Sequence, residues 1–457
     1  LRAIADDAGI EDVKSEWLRR GNPDWETDEA YYFMQMRFAP ATEQRPPGIY
    51  QSLHDRDSEA ILSEVETADA NADWVVVALH SHQARNGNRN TSETPAFLQR
   101  YARECVDAGA DADLVDRLDG GNTGAVAVVE QGEGPTVGLR VDIDGLPIRE
   151  SDDDDHSPAA EGFRSENEGY MHACGHDAHA TLGLGVLDAV RHSDFSGTLK
   201  VFFQPAEERV AGGGPMSRSG LLDDVEHLYA VHIGLDHPTG EIVAGMGGFL
   251  AVSGFEVEFE GTPAHAGAHP EEGDNAIQAM AEAISSMYAV PRHADGPTRV
   301  NAGVVEGGTA SNIIAAEAAM ECEVRGATTE LMEYMWEETG RVVDAAADMH
   351  DVDAERSLNS RAPSAESDET LSAIVADVAE GVEGVDSIVD HDELGGSEDA
   401  TYLMNRVQEQ GGDACYVGLG TDHPGGHHTS EFDVDEDSLV IGVETLAGAI
   451  EELSNEE

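Results

Sequence analysis

Cys174 and His176 stand two residues apart in Met171-His172-Ala173-Cys174-Gly175-His176-Asp177, and Gln204-Pro205-Ala206-Glu207-Glu208 follows downstream. The first run offers a thiolate and an imidazole, the second two adjacent carboxylates. Soft and borderline ligands beside a spare acid suit a hydrolytic transition-metal site. Such hydrolysis needs one carboxylate on the metal and another free to take the proton of bound water. Adjacent glutamates can divide these jobs because their side chains diverge. The plainer alternatives are a buried cysteine beside a structural histidine, and a solvated charge pair. Asp177 adds a carboxylate that can bridge metals or orient an imidazole. His172 and His179 are further imidazoles, and no ligand role is assigned to them.

Other candidates lie farther along. His232 follows Tyr229-Ala230-Val231. A lone histidine on a strand is more often satisfied core than ligand, so it gains weight only from its company. Gly425-Gly426-His427-His428 supplies two imidazoles after a Gly-rich turn, one of which could close a second metal site, and Ser397-Glu398-Asp399 adds acid. In Gly261-Thr262-Pro263-Ala264-His265 an imidazole comes just after a strand. Asn312 and Arg325 lie near strand ends. Arg and Asn are good partners for a substrate carboxylate, and a structural role for Arg325 stays equally open.

The elements that must position these residues read as α/β. Leu199 to Phe203 and Leu228 to Ile233 are short apolar strands that deliver Glu207-Glu208 and His232 at their C-terminal ends, where open α/β sheets build sites. Gly124 to Val129 and Thr136 to Val141 read as paired strands across a Gly132-Glu133-Gly134-Pro135 turn. Ala178 to His192 is a helix rich in Ala and Leu. Residues 249–355 form a separable unit: strand 251–260, helix 275–288, strands 299–306 and 318–325, and helix 330–349. That order suggests a small two-layer α+β domain. Residues 356–457 resume the first domain, with a helix at 368–380, a strand at 415–418 and a terminal helix. Residues 1–112 form a separate α/β fragment: Trp74 to Leu79 is a buried strand ending at His80-Ser81-His82, and Pro95 to Ala108 a helix.

Composition bounds the class. The 457 residues allow two or three domains, and 40% hydrophobic content supports real cores. The net charge of -66, from 92 acidic against 26 basic residues, is spread along the whole chain. Apolar periodic segments exclude a disordered acidic chain. Phosphate repulsion excludes a nucleic-acid binder. What remains is a folded protein for a very salty cytosol, where the Debye length shrinks to roughly 3 Å at about 1 M salt. Four cysteines are too few for a disulfide scaffold of this size. No apolar run reaches membrane-spanning length and no signal peptide is seen, so a cytoplasmic enzyme is expected.

Taken together, several segments resemble the aminoacylase and carboxypeptidase family of two-metal amidohydrolases, most densely its members that cleave p-aminobenzoyl-glutamate. The carriers are Leu139-Arg140-Val141-Asp142-Ile143-Asp144-Gly145-Leu146, the Met171 to Asp177 run, Phe203 to Glu208, Ala230 to Gly234, Gly261 to Asn275, Gly396 to Thr401, and Gly426 through Asp433. They span about residues 113–457. The resemblance implies an α/β catalytic domain in two parts, 113–248 and 356–457, interrupted by a lid and dimerisation domain at 249–355. It implies two divalent ions, Mn or Zn, with Cys174, His176, Glu208, His232 and His428 as ligands. Glu207 would be the general base that deprotonates a bridging water and then protonates the leaving amine. His265 would polarise the scissile carbonyl, across the dimer, while Asn312 and Arg325 would contact substrate. The implied substrate is an N-acyl amino acid, p-aminobenzoyl-glutamate first. The implied partner is a second copy through the lid, or a second homologous subunit, with no nucleic acid and no membrane.

The front of the chain departs from that pattern. The family's opening helices and Arg-rich segment are not found in residues 1–112. Asn71 to His80 and Cys105 to Asp111 instead resemble a partial, metallophosphatase-like piece of the capsule and poly-gamma-glutamate synthesis proteins. Three rivals to the leading reading follow: a general N-acyl-amino-acid hydrolase or carboxypeptidase, an inactive fusion product, and a surface-polymer assembly factor defined by residues 1–112.

Overall fold

In the computed structural model the described residues are 31–33, 36–38 and 124–454, apart from 166, 168 and 424. The strand and helix expected around 74–108, and the metallophosphatase-like reading, lie outside them. Two short strands, β1 (Tyr31–Phe33) and β2 (Met36–Phe38), pair antiparallel.

The larger, seven-stranded sheet contains β3 (Ala125–Glu130), β4 (Thr136–Asp142), β5 (Thr198–Gln204), β6 (His227–Ile233) and β7 (Glu241–Val243). Later in the chain come β13 (Ser387–Val389) and β15 (Asp413–Leu419), and the order is β13-β7-β15-β6-β4-β5-β3. From β15 through β5 the neighbours run parallel. One correction concerns its edge. β3 and β4 were expected to pair, but β5 lies between them, antiparallel to β3 and parallel to β4. The physical reason is burial: β4 is covered over nearly its whole length, so it needs a partner on each side, while β3 takes the edge.

Helices cover both faces. α1 (Ser157–Glu161) is short; α8 (Asp437–Glu452) packs with both α2 (His176–Arg191) and α6 (Glu369–Ala379) on one face. α3 (Gly213–Ser217) and α7 (Thr401–Glu409) pack together beneath the other face. Leu182, Val186 and Val190 recur along the buried side of α2 at helical spacing, against Leu139, Val201 and Val231 of the sheet. Each buried aliphatic side chain contributes about 1.5–3 kcal/mol of transfer free energy.

The inserted unit begins after β8 (Met246–Gly247) and is a second layer pair. Its elements are β9 (Ala251–Glu260), α4 (Ala276–Met287), β10 (Thr298–Gly307), β11 (Glu317–Gly326), α5 (Thr329–Met349) and β12 (Asp353–Ala362). The antiparallel sheet has the order β10-β11-β9-β12. Strict alternation in β11 sends Ala318, Met320, Cys322 and Val324 into the core beneath the helices. Thr328 caps α5 and Asn275 caps α4 through side-chain acceptors. The expected boundary at residue 355 falls inside β12. The small β14 (Asp392–Glu393) pairs with β8.

Candidate metal centre

The parallel strands end together, and their ends carry the chemistry. β4 ends at Asp142, with Asp144 just beyond; β5 leads to Glu207-Glu208; β6 carries His232; the loop after β15 carries His427-His428. Cys174 and His176 come from the turn that opens α2, where Gly175 has φ +81°. A Cβ there would lie 2.5 Å from Ile233 Cγ2, so only glycine lets the turn close against β6.

Two groups of donor atoms share Cys174. In one, Cys174, His176 and His232 offer atoms within 4.8 Å of one another; in the other, Cys174, Glu208 and His428 do. Glu207 adjoins through a group with His176 and Glu208. Cys174 Sγ lies 3.6 Å from His232 Nε2, and His428 Nε2 lies 3.4 Å from Glu208 Oε2. The structure therefore brings together Cys174, His176, Glu207, Glu208, His232 and His428.

Whether these residues fit divalent ions can be asked of their unmet needs. Among the described residues, the buried His176 Nε2 and Glu208 Oε1 have no hydrogen-bond partner. Each such atom costs about 1–3 kcal/mol unless something occupies it. Burial and the neighbouring His179 push His232 well below the usual imidazole range, so its lone pair is free. Burial pushes the Cys174 thiol up to about 12, so it ionises only beside strong positive charge. Imidazole, thiolate and carboxylate donors gathered at one place, two of them with orphaned atoms, fit two divalent ions.

Behind the donors lies a buried polar layer that the sequence reading left without roles. Asp144 Oδ1 lies 3.1 Å from His176 Nδ1, and its Oδ2 accepts the Glu208 N–H at 3.2 Å. His179, given no ligand role, bonds Asp142 through Nδ1 and accepts the Ile233 N–H on Nε2 at 2.8 Å. Against its burial, His176, His179 and Arg140 hold the Asp142 carboxyl well below the usual range. Arg140, fully buried, also donates to Gln204 at 3.0 Å, Glu398 at 3.0 Å and Asp399 at 3.3 Å. Asp399 in turn accepts the N–H groups of Gly212 and Gly213, at 2.9 and 2.7 Å. Burial, with Glu398 and Asp399 nearby, lifts the Glu207 carboxyl well above its ordinary value. A hint was present: Asp142 and Asp144 follow an apolar strand whose end had to face the site.

Strain marks the same loops. Among the described residues six non-glycines have positive φ, and Ala206, Val210, Leu235, Asp236 and His428 all lie in them. Such conformations cost about 1–3 kcal/mol each and persist where surroundings over-determine them.

Three candidates stand apart. Exposed His265 has Nδ1 accepting the N–H groups of Gly267 and Ala268 and, among the described residues, joins none of the donor groups. Asn312 is exposed, and its carbonyl accepts the Ala266 N–H. Arg325 is paired with Glu323 at 3.0 Å and reaches Ser397 Oγ at 3.4 Å, where the inserted unit meets the rest of the fold.

Comparison with known proteins bears directly on this arrangement. The sequence profile of peptidase family M20/M25/M40 matches residues 138–452. The chain is 40% identical over 354 residues to one of the chains of the p-aminobenzoyl-glutamate hydrolase of Escherichia coli K12, covering 77% of this chain and 81% of that one. It is 39% identical to the indole-3-acetyl-aspartic acid hydrolase of Enterobacter agglomerans, over 74% of this chain and 79% of that one. Among solved structures, the aminobenzoyl-glutamate utilization protein of Klebsiella pneumoniae superposes with a TM-score of 0.61 at 28% identity, covering 88% of this chain and 92% of that one. A dinuclear metal-binding peptidase of Bacillus subtilis shares the fold, with a TM-score of 0.60 at 23% identity over 88% of this chain and 99% of its own.

Proposed function

Because the chain belongs to the peptidase family M20/M25/M40 and is an amide-bond hydrolase of that family, we propose that it cleaves N-acyl amino acids, p-aminobenzoyl-glutamate first among them. The observation that carries this reading is the sharing of Cys174 by two donor triads with Glu207 against them. Cys174, His176 and His232 would hold one divalent ion, and Cys174, Glu208 and His428 the other, with Mn and Zn as candidates. Ions in such a site lower the pKa of bound water and polarise a carbonyl.

The chain's own residues do the rest. Glu207, buried and lifted in pKa, takes a proton from the attacking water and returns it to the leaving amine. Burial disfavours the charged form of this carboxyl, so a proton it takes up is held for return to the amine. His265 has Nδ1 committed to backbone donors, which leaves Nε2–H for the scissile carbonyl. Arg325 and Asn312 would meet the substrate's carboxylates, Arg325 by exchanging Glu323 for them.

A broader reading is favoured by one finding. The relative named for indole-3-acetyl-aspartic acid is nearly as similar as the one named for p-aminobenzoyl-glutamate. Both names describe an aromatic acyl group on an acidic amino acid, so a general N-acyl-amino-acid hydrolase of that class is the second reading. The working assembly would be a second copy, or a second homologous subunit, seated on the β10 edge, where Val304 and Val305 are 46% and 53% exposed. We take the workplace to be a high-salt cytosol, a reading supported by the net charge of -66. No helix among the described residues is long and apolar enough to cross a membrane.

The test is release of p-aminobenzoate in concentrated KCl with Mn added, comparing the natural chain with Glu207→Ala. Turnover by the natural chain alone supports the reading. Turnover only of other N-acyl amino acids moves the assignment to the broader class, and equal turnover by both chains sinks Glu207 as the base.

A further inference from the structure

Of the imidazoles around Cys174 Sγ, His232 and His427 lie in hydrogen-bonding geometry, and His427 stands outside the proposed ligand set. His232 Nε2 lies 3.6 Å away and His427 Nδ1 lies 3.4 Å away. The two rings present opposite chemistry to the sulfur. His232 Nδ1 lies 2.8 Å from the Ile233 carbonyl oxygen, which can only accept, so its proton is on Nδ1 and Nε2 keeps its lone pair. His427 is the reverse. Its Nε2 accepts the Leu235 N–H at 3.1 Å, so its proton is on Nδ1, facing Cys174.

The seat of this ring is built at a cost. Gly234 has φ +87°, and a Cβ there would lie 2.6 Å from His427 Nε2. Leu235 and Asp236 follow in left-handed conformation, at φ 56° and 66°. Two strained residues in a row, at about 1–3 kcal/mol each, aim one N–H at one ring nitrogen. Phe432 closes the seat, its ring centroid 4.9 Å from that of His427. The backbone after one proposed ligand, His232, thus grips the residue before another, His428.

We infer that His427 is a positioning residue that donates an Nδ1–H···Sγ hydrogen bond to the Cys174 thiolate, an inference that rests on Cys174 being a metal ligand. The bond draws electron density from the sulfur and fixes which of its lone pairs face the ions. Outer-shell donors of this kind tune a ligand without touching the metal.

The test is titration of the full chain with cobalt(II) alone, counting ions bound and following the sulfur-to-cobalt charge-transfer band. His427→Asn keeps an N–H at the Nδ1 position and gives up the acceptor for Leu235. His427→Gln reaches the Nε2 position and gives up the donor to sulfur; His427→Leu is a second donor-free chain. The band moves to longer wavelength in the Gln and Leu chains, stays in place in the Asn chain, and the ion count is unchanged in all three. A band unmoved in whichever donor-free chain folds overturns the inference. Loss of one cobalt in every variant also overturns it, since His427 would then be a ligand. A natural chain with no such band, or a band that survives Cys174→Ser, removes the ligand reading itself and the inference with it.

Discussion

The Asp144 carboxylate lies 3.1 Å from His176 Nδ1 while its other oxygen takes the backbone N–H of Glu208 at 3.2 Å. One side chain thus orients a donor from each of two segments, the turn that opens α2 and the stretch after β5. Accepting from Nδ1 fixes the tautomer that leaves Nε2 for a cation. Asp144→Asn can satisfy one of these contacts, but its NH2 then opposes an N–H donor at the other. We expect metal affinity to fall about 10–100-fold, read by calorimetric titration with Mn or Zn. An affinity within about twofold of the natural chain's would remove Asp144 from the site.

Asp399 does for the Glu207 loop what Asp144 does for the ligands. Its carboxylate holds Gly212 and Gly213, and also Arg140 and the Gln204 amide. All four partners are donors, so Asp399→Asn must turn an NH2 toward one pair of them. The expected loss is about 1–3 kcal/mol for each group left unpaired, measured by denaturant unfolding. kcat should fall with KM little changed, because the displaced loop carries the base and not the substrate contacts. Gly213→Ala attacks the same contact from the other side, since its Cβ would collide with the Asp399 carbonyl oxygen. The two variants should share one phenotype; an unaltered kcat in both would separate this contact from catalysis.

Much of the donor set was legible because its spacing is local. Cys174-Gly175-His176 turns at a glycine that nothing larger can replace, and Glu207-Glu208 follows a strand that had to end at the site. The inserted α+β unit was legible from the alternation of its strands and the length of its two helical segments. What was hidden is long-range. Asp399 and Gly213 are 186 residues apart, and no periodicity announces that they touch. Asp142, Asp144 and Arg140 read as polar residues in and after a strand, and only the packed sheet reveals Arg140 and Asp142 as fully buried and Asp144 as half-buried beside them. The β3–β4 pairing failed for a related reason: a Gly-Pro turn signals a reversal, but not that β5 will occupy the space between.

His265 is exposed and, among the described residues, outside every donor group, so the role proposed for it has a partner chain bring it to the site. Two inactive variants can test that. Glu207→Ala and His265→Ala chains, each inactive alone, should regain partial activity when mixed and allowed to exchange protomers. In a mixed dimer one site then combines an intact Glu207 with an intact His265 from the partner. No recovery, with exchange verified by mass, would mean that His265 acts within its own chain or not at all.

The lid sheet carries like charges in register. Glu317, Glu260 and Asp353 stand directly opposite one another across β11, β9 and β12, Glu258 opposes Glu355, and Glu321 opposes Glu256. These carboxylates lie on the sheet face away from α4 and α5, whose helices cover the alternate residues. Opposed like charges destabilise a sheet by about 0.2–1 kcal/mol per pair, and screening weakens the penalty as the Debye length drops from roughly 10 Å at 0.1 M to 3 Å at 1 M. The lid should therefore be the part of the molecule that most needs salt. Thermal melts from low to molar KCl should show a rising midpoint. Glu260→Gln, which relieves both of its opposed pairs without adding a core contact, should raise the low-salt midpoint and flatten the salt dependence. A Gln chain that melts like the natural one at every salt concentration would mean that these rows are already neutralised in some other way.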